Sequence, residues 1–68
     1  MNIEALRKKY SVGKRIVCDE MNDIRAIDPG TEGTITYVDD AGQIHVLWDN
    51  HRTLALISGI DKFHLKEN

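Results

Sequence analysis

At 68 residues the chain supports one small domain, which buries roughly 60% of the surface of its unfolded form and has no room for a deep active-site cleft. Its 9 basic and 11 acidic residues leave a net charge of −2, which excludes a general attraction for nucleic acid or anionic membrane. A single cysteine, Cys18, excludes an internal disulfide, and no apolar run approaches the ~20 residues of a membrane span; with no secretory signal, the expected location is the cytoplasm.

In chain order, Asn2 is placed to cap a short helix in which Ile3, Leu6 and Tyr10 recur at helical spacing, with Lys8 and Lys9 at the negative end of the dipole. Isolated helices below ~12 residues are marginal in water, so this one is expected to persist only by docking that stripe on the remainder of the domain. Residues 1–10 therefore read as a helical segment and 11–68 as the main domain. Lys14 to Met21 reads as a first strand with Ile16 and Cys18 on one face. Asn22 to Gly33 is a long loop, polar apart from Ile24, Ala26 and Ile27, and punctuated by Pro29-Gly30 and Gly33.

The most legible stretch follows. Thr34, Ile35, Thr36, Tyr37 and Val38 are all β-branched or aromatic and predict a strand. From Gln43 to Asp49, Ile44, Val46 and Trp48 alternate with Gln43, His45, Leu47 and Asp49, which predicts one buried and one wet face. Asp39-Asp40-Ala41-Gly42 suits a type I turn closed by a bulge, glycine sitting where φ must be positive. Thr53 to Ser58 predicts a further strand with Leu54 and Leu56 alternating against Ala55 and Ile57; Asp61 is expected to cap one helical turn, and Phe63 and Leu65 to belong to a last strand. About five short strands with a docked helix amount to an all-β fold, and closure into a small barrel would remove exposed edges.

Trp48 reads as a core residue because it alternates with Ile44 and Val46, and Tyr37 shares the Ile35 face by the same count, although a phenol can keep its hydroxyl at the rim. Asp39 and Asp40 are adjacent on a turn that itself calls for aspartate, so paired-carboxylate catalysis is not favoured, and Asp49 is expected to accept backbone N–H groups in its own turn. His45, His51, His64 and Cys18 lack the close paired spacing of a zinc site, and no serine or cysteine has a base-and-orienter context. The expectation is a protein without enzymatic activity, cofactor or metal.

Two binding surfaces remain. The acidic middle of the chain, with Asp39, Asp40, Tyr37 and Arg25 as candidate contacts, predicts a rim facing a basic patch on a protein partner. The alternative is weak nucleic-acid binding through the basic segment Arg7, Lys8, Lys9, Lys14 and Arg15, against which stands the usual fate of such a run as a solvated face. A monomer or weak homodimer is expected.

The order Gly13-x-Arg15-Ile16-x-Cys18, Pro29-Gly30-Thr31-x-Gly33-Thr34-Ile35, Val38-Asp39-Asp40-x-Gly42, Ile44-His45-Val46-x-Trp48-Asp49-Asn50 and Leu54-x-Leu56-Ile57-x-Gly59-x-Asp61-x-Phe63 resembles domain of unknown function 4314. That is a small bacterial and phage family met near mobile elements. The resemblance implies an SH3-like barrel and no particular activity; more loosely, the Gly-Thr-Ile and Val-x-Trp-Asp pattern is similar to KOW-type barrel modules. His51 stands where the family pattern commonly has glycine, which leaves the turn type after Trp48 open.

Overall fold

The computed structural model describes residues 2–21 and 26–66. Its elements are α1 (Ile3–Lys9), β1 (Arg15–Glu20), β2 (Glu32–Val38), β3 (Gln43–Trp48), β4 (Leu56–Ile57) and β5 (Lys62–Leu65). The fold is mostly β: the strands form one antiparallel sheet in the order β4-β3-β2-β1-β5.

Asn2 caps α1 as its side chain suggests, its Oδ1 accepting the Ala5 N–H at 3.2 Å. Seven residues cannot hold a helix alone, and the support comes from packing: Leu6 and Tyr10 lie against the core, and Tyr10 meets Phe63 edge to face at 5.5 Å. The core joins Ile16 and Cys18 of β1, Ile35 and Val38 of β2, Ile44, Val46 and Trp48 of β3, and Leu56 of β4 with Met21 and Ile27 from the loop after β1. Trp48 is sealed and still satisfied, its indole N–H donating to the Leu54 carbonyl at 3.0 Å.

The strand expected over Thr53 to Ser58 is reduced to β4. Trp48 takes the carbonyls of Arg52 and Leu54 with its backbone and indole N–H groups, which draws this stretch into a turn and leaves only a single bridge from Thr53 to Leu47 before Leu56. Asp61 does not start a helical turn. Its carboxylate reaches back to accept the Ile57 N–H at 2.8 Å, closing the turn that precedes it, and the chain passes directly into β5.

The two hairpin connections share one geometry. In the first, Gly42 N–H donates to Asp39 O and Asp39 N–H to Gln43 O; in the second, His51 N–H donates to Trp48 O and Trp48 N–H to Arg52 O. Each is a four-residue turn closed by a bulge residue at positive φ, 82° at Gly42 and 70° at His51. The position that glycine fills in the first hairpin is thus taken by histidine in the second.

Candidate functional site

The register between β2 and β3 decides which side chains reach solvent. Ile35 pairs with Val46 but Tyr37 pairs with His45, so Thr36 is an extra residue and the strand carries a bulge. Strict alternation would send Tyr37 inward with Ile35. The inserted residue reverses the count after Ile35, so Val38 turns to the core and Tyr37 to solvent, where it is 51% exposed. The core placement expected for Tyr37 is therefore corrected, and the cause is one residue of register.

Outside the sheet Tyr37 lies flat on His45, ring centroids 4.1 Å apart and planes 7° from parallel. His45 is held from the other side by Asp39, whose Oδ2 lies 2.8 Å from Nε2. Because an ionised carboxylate only accepts, the bond places a proton on Nε2. Asp39 also accepts the Ala41 and Gln43 N–H groups at 2.9 Å each. These bonds, that of His45 first, hold the Asp39 carboxyl below its ordinary pKa. Beside the rings runs a groove of about 390 Å³ lined by Thr36, Tyr37, His45, Val46, Thr53, Leu54 and Ala55. Leu47, 47% exposed, continues the face along β3.

A second cluster closes the far end of this face. Thr34 of β2 pairs with both Arg15 of β1 and Leu47 of β3. The Arg15 guanidinium donates to Thr34 Oγ1 at 2.8 Å, to both oxygens of Asp49 and to Glu32 Oε1 at 3.4 Å, while Lys66 Nζ donates to the same Glu32 oxygen at 2.8 Å. The fork on Asp49 is bidentate. Asp49 is thus a partner of Arg15, correcting its expected role inside its own turn; there Asn50 accepts the Arg52 N–H instead. Arg15 holds the Asp49 carboxyl down, Lys66 chiefly does so for Glu32, and the Arg15 pKa is raised in return by Asp49.

The remaining sequence candidates are scattered. Asp40 is met by Arg7, and the carboxylates of Asp39 and Asp40 serve separate partners rather than one reacting atom. Lys14 Nζ caps α1 through the Lys9 carbonyl at 3.3 Å, Lys9 Nζ sits 5.4 Å from the Tyr10 ring centroid, and Lys8 has no bonded partner among the described residues. Arg25 lies outside the described residues. Burial first, then the nearby carboxylates, push the Cys18 thiol up, and its Sγ lies 3.6 Å from the Ile27 carbonyl in the core. Among the described residues no three His, Cys, Asp or Glu side chains gather as metal ligands, and no helix is long and apolar enough to cross a membrane.

The motif order that ties these turns and strands together matches the profile of a family described as domain of unknown function (DUF4314) over residues 1–66. The chain belongs to that family. No curated protein and no solved structure matches it. In this DUF4314 domain the motif glycines have readable work: Gly33 lies beneath Trp48, where a Cβ would overlap Val46 Cγ1 and come within 2.9 Å of Trp48 Cε3, and Gly42 supplies the positive φ of the first hairpin. Alternation puts both His45 and Leu47 on the wet face of β3 and metal ligation by His45 is not favoured, but the sequence singles out neither as a binding contact. The signal for both was the turn itself, since a bulge-closed turn at Asp39–Gln43 places His45 across from the Thr36-Tyr37 pair.

Proposed function

We propose that this DUF4314 domain is a non-enzymatic protein-interaction module that presents the outer face of its β2–β3 hairpin to a partner. The observation that carries the reading is the half-exposed, stacked Tyr37–His45 pair, fixed by Asp39 and adjoined by Leu47. Exposed aromatic anchors on a rigid scaffold are what interfaces use as hot spots, because their area comes with little rotamer entropy to lose. The acidic rim contributes less in this reading, since Asp39 is spent on its own hairpin and Asp40 on Arg7.

The reading includes the finer fold. Four strands that pair with their chain neighbours, a fifth that returns to the first, and bulges in the β1–β5 and β2–β3 pairings support a curled, SH3-like barrel. Action in the cytoplasm of a bacterium or phage host is the setting proposed with it, on the strength of the family pattern. Nucleic-acid binding has weaker support: Arg7 and Arg15 are committed to carboxylates and Lys14 to a helix end, so the basic segment offers few open cations.

The test is affinity capture from a lysate of the source organism on immobilised wild type and Tyr37→Ala in parallel. Proteins retained by the first and lost from the second are expected. Equal retention on both, or nothing above bare resin, overturns the reading.

A further inference from the structure

We propose that the open backbone edge at Thr53 and Ala55 takes an extended segment of the partner as an added β-strand, which lays one aromatic or long aliphatic side chain over Ala55 onto the Tyr37–His45 rings. The inference rests on the interaction reading above and names the form of its ligand.

The register leaves this edge unanswered. The Leu54 N–H donates to Val46 O and the Trp48 N–H to Arg52 O, so Leu47 and Thr53 face each other as a non-hydrogen-bonded pair, and the Thr53 N–H and C=O point away from β3. Ala55, two residues on, repeats that direction, and no described residue bonds the backbone of either. Elsewhere the chain closes its own edge. Ile57, the next outward residue, gives its N–H to Asp61 Oδ2 at 2.8 Å and accepts the Ile60 and Asp61 N–H groups, while the hairpin turn ends the edge before Thr53. Two donors and two acceptors at alternate residues are therefore left to water, the pattern that an added strand completes.

The side chains set what that strand carries. Continuing the pairing of Ile44 with Leu56 places Ala55 opposite His45 on the outer face, where a methyl group is too small to cover the rings. The groove of about 390 Å³ there is lined by Ala55 and Thr53 together with both rings. A residue paired with Ala55 projects on the same face, so a flat or long apolar side chain at that position gains most. No residue from Thr53 to Ile57 is ionisable, and a charged residue at either pairing position would lose hydration without gaining an opposite charge. A second copy of the chain would meet only these two edge residues between flanking turns, a contact much smaller than the roughly 1,200 Å² that a specific dimer buries.

The test is a display selection of random linear peptides on the immobilised chain, counter-selected on Tyr37→Ala, and then amide exchange of the labelled wild type at saturating selected peptide. Binders with an aromatic or long aliphatic residue at one fixed position are expected. The Thr53 and Ala55 amides, fast in the free domain, are expected to slow at least tenfold on binding, and N-methylation of the peptide at either pairing residue to weaken it about tenfold. Unfolding midpoints check the variant, and Tyr37→Thr, which keeps a strand-forming residue, replaces it if Tyr37→Ala fails to fold. Binders that depend on Tyr37 but leave both amides as fast as in the free chain overturn this inference and leave the interaction reading standing. Amides already slow in the free chain, and slower as its concentration rises, assign the edge to a second copy and likewise overturn it. No binder weakened by the Tyr37 substitution overturns both.

Discussion

Arg7 and Asp40, 33 positions apart, are joined by a 2.7 Å ion pair that ties the first helix to the tip of the first hairpin. The same guanidinium donates through Nε to the Val38 carbonyl at 3.1 Å. One residue from the basic segment and one from the acidic middle therefore neutralise each other, although the charge pattern of the chain suggests two separate binding surfaces. The Asp40 side chain is fully exposed, so water and salt compete with the pair. In a double-mutant cycle of Arg7→Ala and Asp40→Asn, read by urea unfolding, a small coupling is expected at low salt and none at molar salt. Coupling that survives molar salt would contradict the exposed geometry.

His51 at φ 70° does in the second hairpin what Gly42 at φ 82° does in the first. A left-handed conformation costs an L side chain about 1 kcal/mol, partly offset in a glycine variant by the freer unfolded chain. His51→Gly is expected to raise the thermal midpoint by about 4 °C, while Gly42→Ala lowers it by a similar amount. Calorimetry of both variants checks the pair, and a lowered midpoint for His51→Gly would mean that the imidazole makes a contribution larger than the strain.

Gly33 is held by space rather than by backbone angle. A methyl group there meets Val46 and the Trp48 ring, and the Leu47 carbonyl at 2.9 Å cannot withdraw without breaking the β2–β3 ladder. Gly33→Ala is expected to cost more than about 2 kcal/mol, enough in so small a domain to leave a sizeable unfolded fraction at 37 °C. Circular dichroism at that temperature checks it.

Much of this fold is legible in the residues. The strand-forming run from Thr34 to Val38, the alternation of Ile44, Val46 and Trp48, the Asn2 cap and the Asp39-to-Gly42 turn all lie where local chemistry puts them, because each depends on neighbours within a few residues. The site was harder to see for the same reason. A bulge moves Tyr37 outward without changing any residue type, and Asp49 finds a partner 34 positions away whose presence no local rule announces. The short β4 has a nearer cause that residue types alone do not announce, since the buried Trp48 indole takes the Leu54 carbonyl six positions on.

Acid should expose the carboxylate network. Asp39, Asp49 and Glu32 all have pKa values held below their ordinary 3.8, 3.8 and 4.5. A carboxyl depressed in the folded state contributes stability that is complete above its unfolded pKa and is lost as pH falls through the folded value. Stability is therefore expected to be independent of these groups above about pH 5.5 and to decline from about pH 4.5 downward. Asp49→Asn should flatten that decline and also lower stability at neutral pH, where Arg15 would lose its ionised partner. Urea midpoints across this range check both slopes, and an unchanged slope in Asp49→Asn would remove the network as the cause.

The placement of β5 beside β1 has a consequence for biosynthesis. Phe63 pairs with Cys18 and Leu65 with Ile16, so the strand that forms early in the chain has one flank open until the last strand has been made. Tyr10 likewise waits for Phe63 before α1 has its aromatic neighbour. On the ribosome, then, the nascent domain cannot close while its final strand is still inside the exit tunnel. Until residue 65 has emerged, the β1 edge stays unpaired and open to any other strand that reaches it.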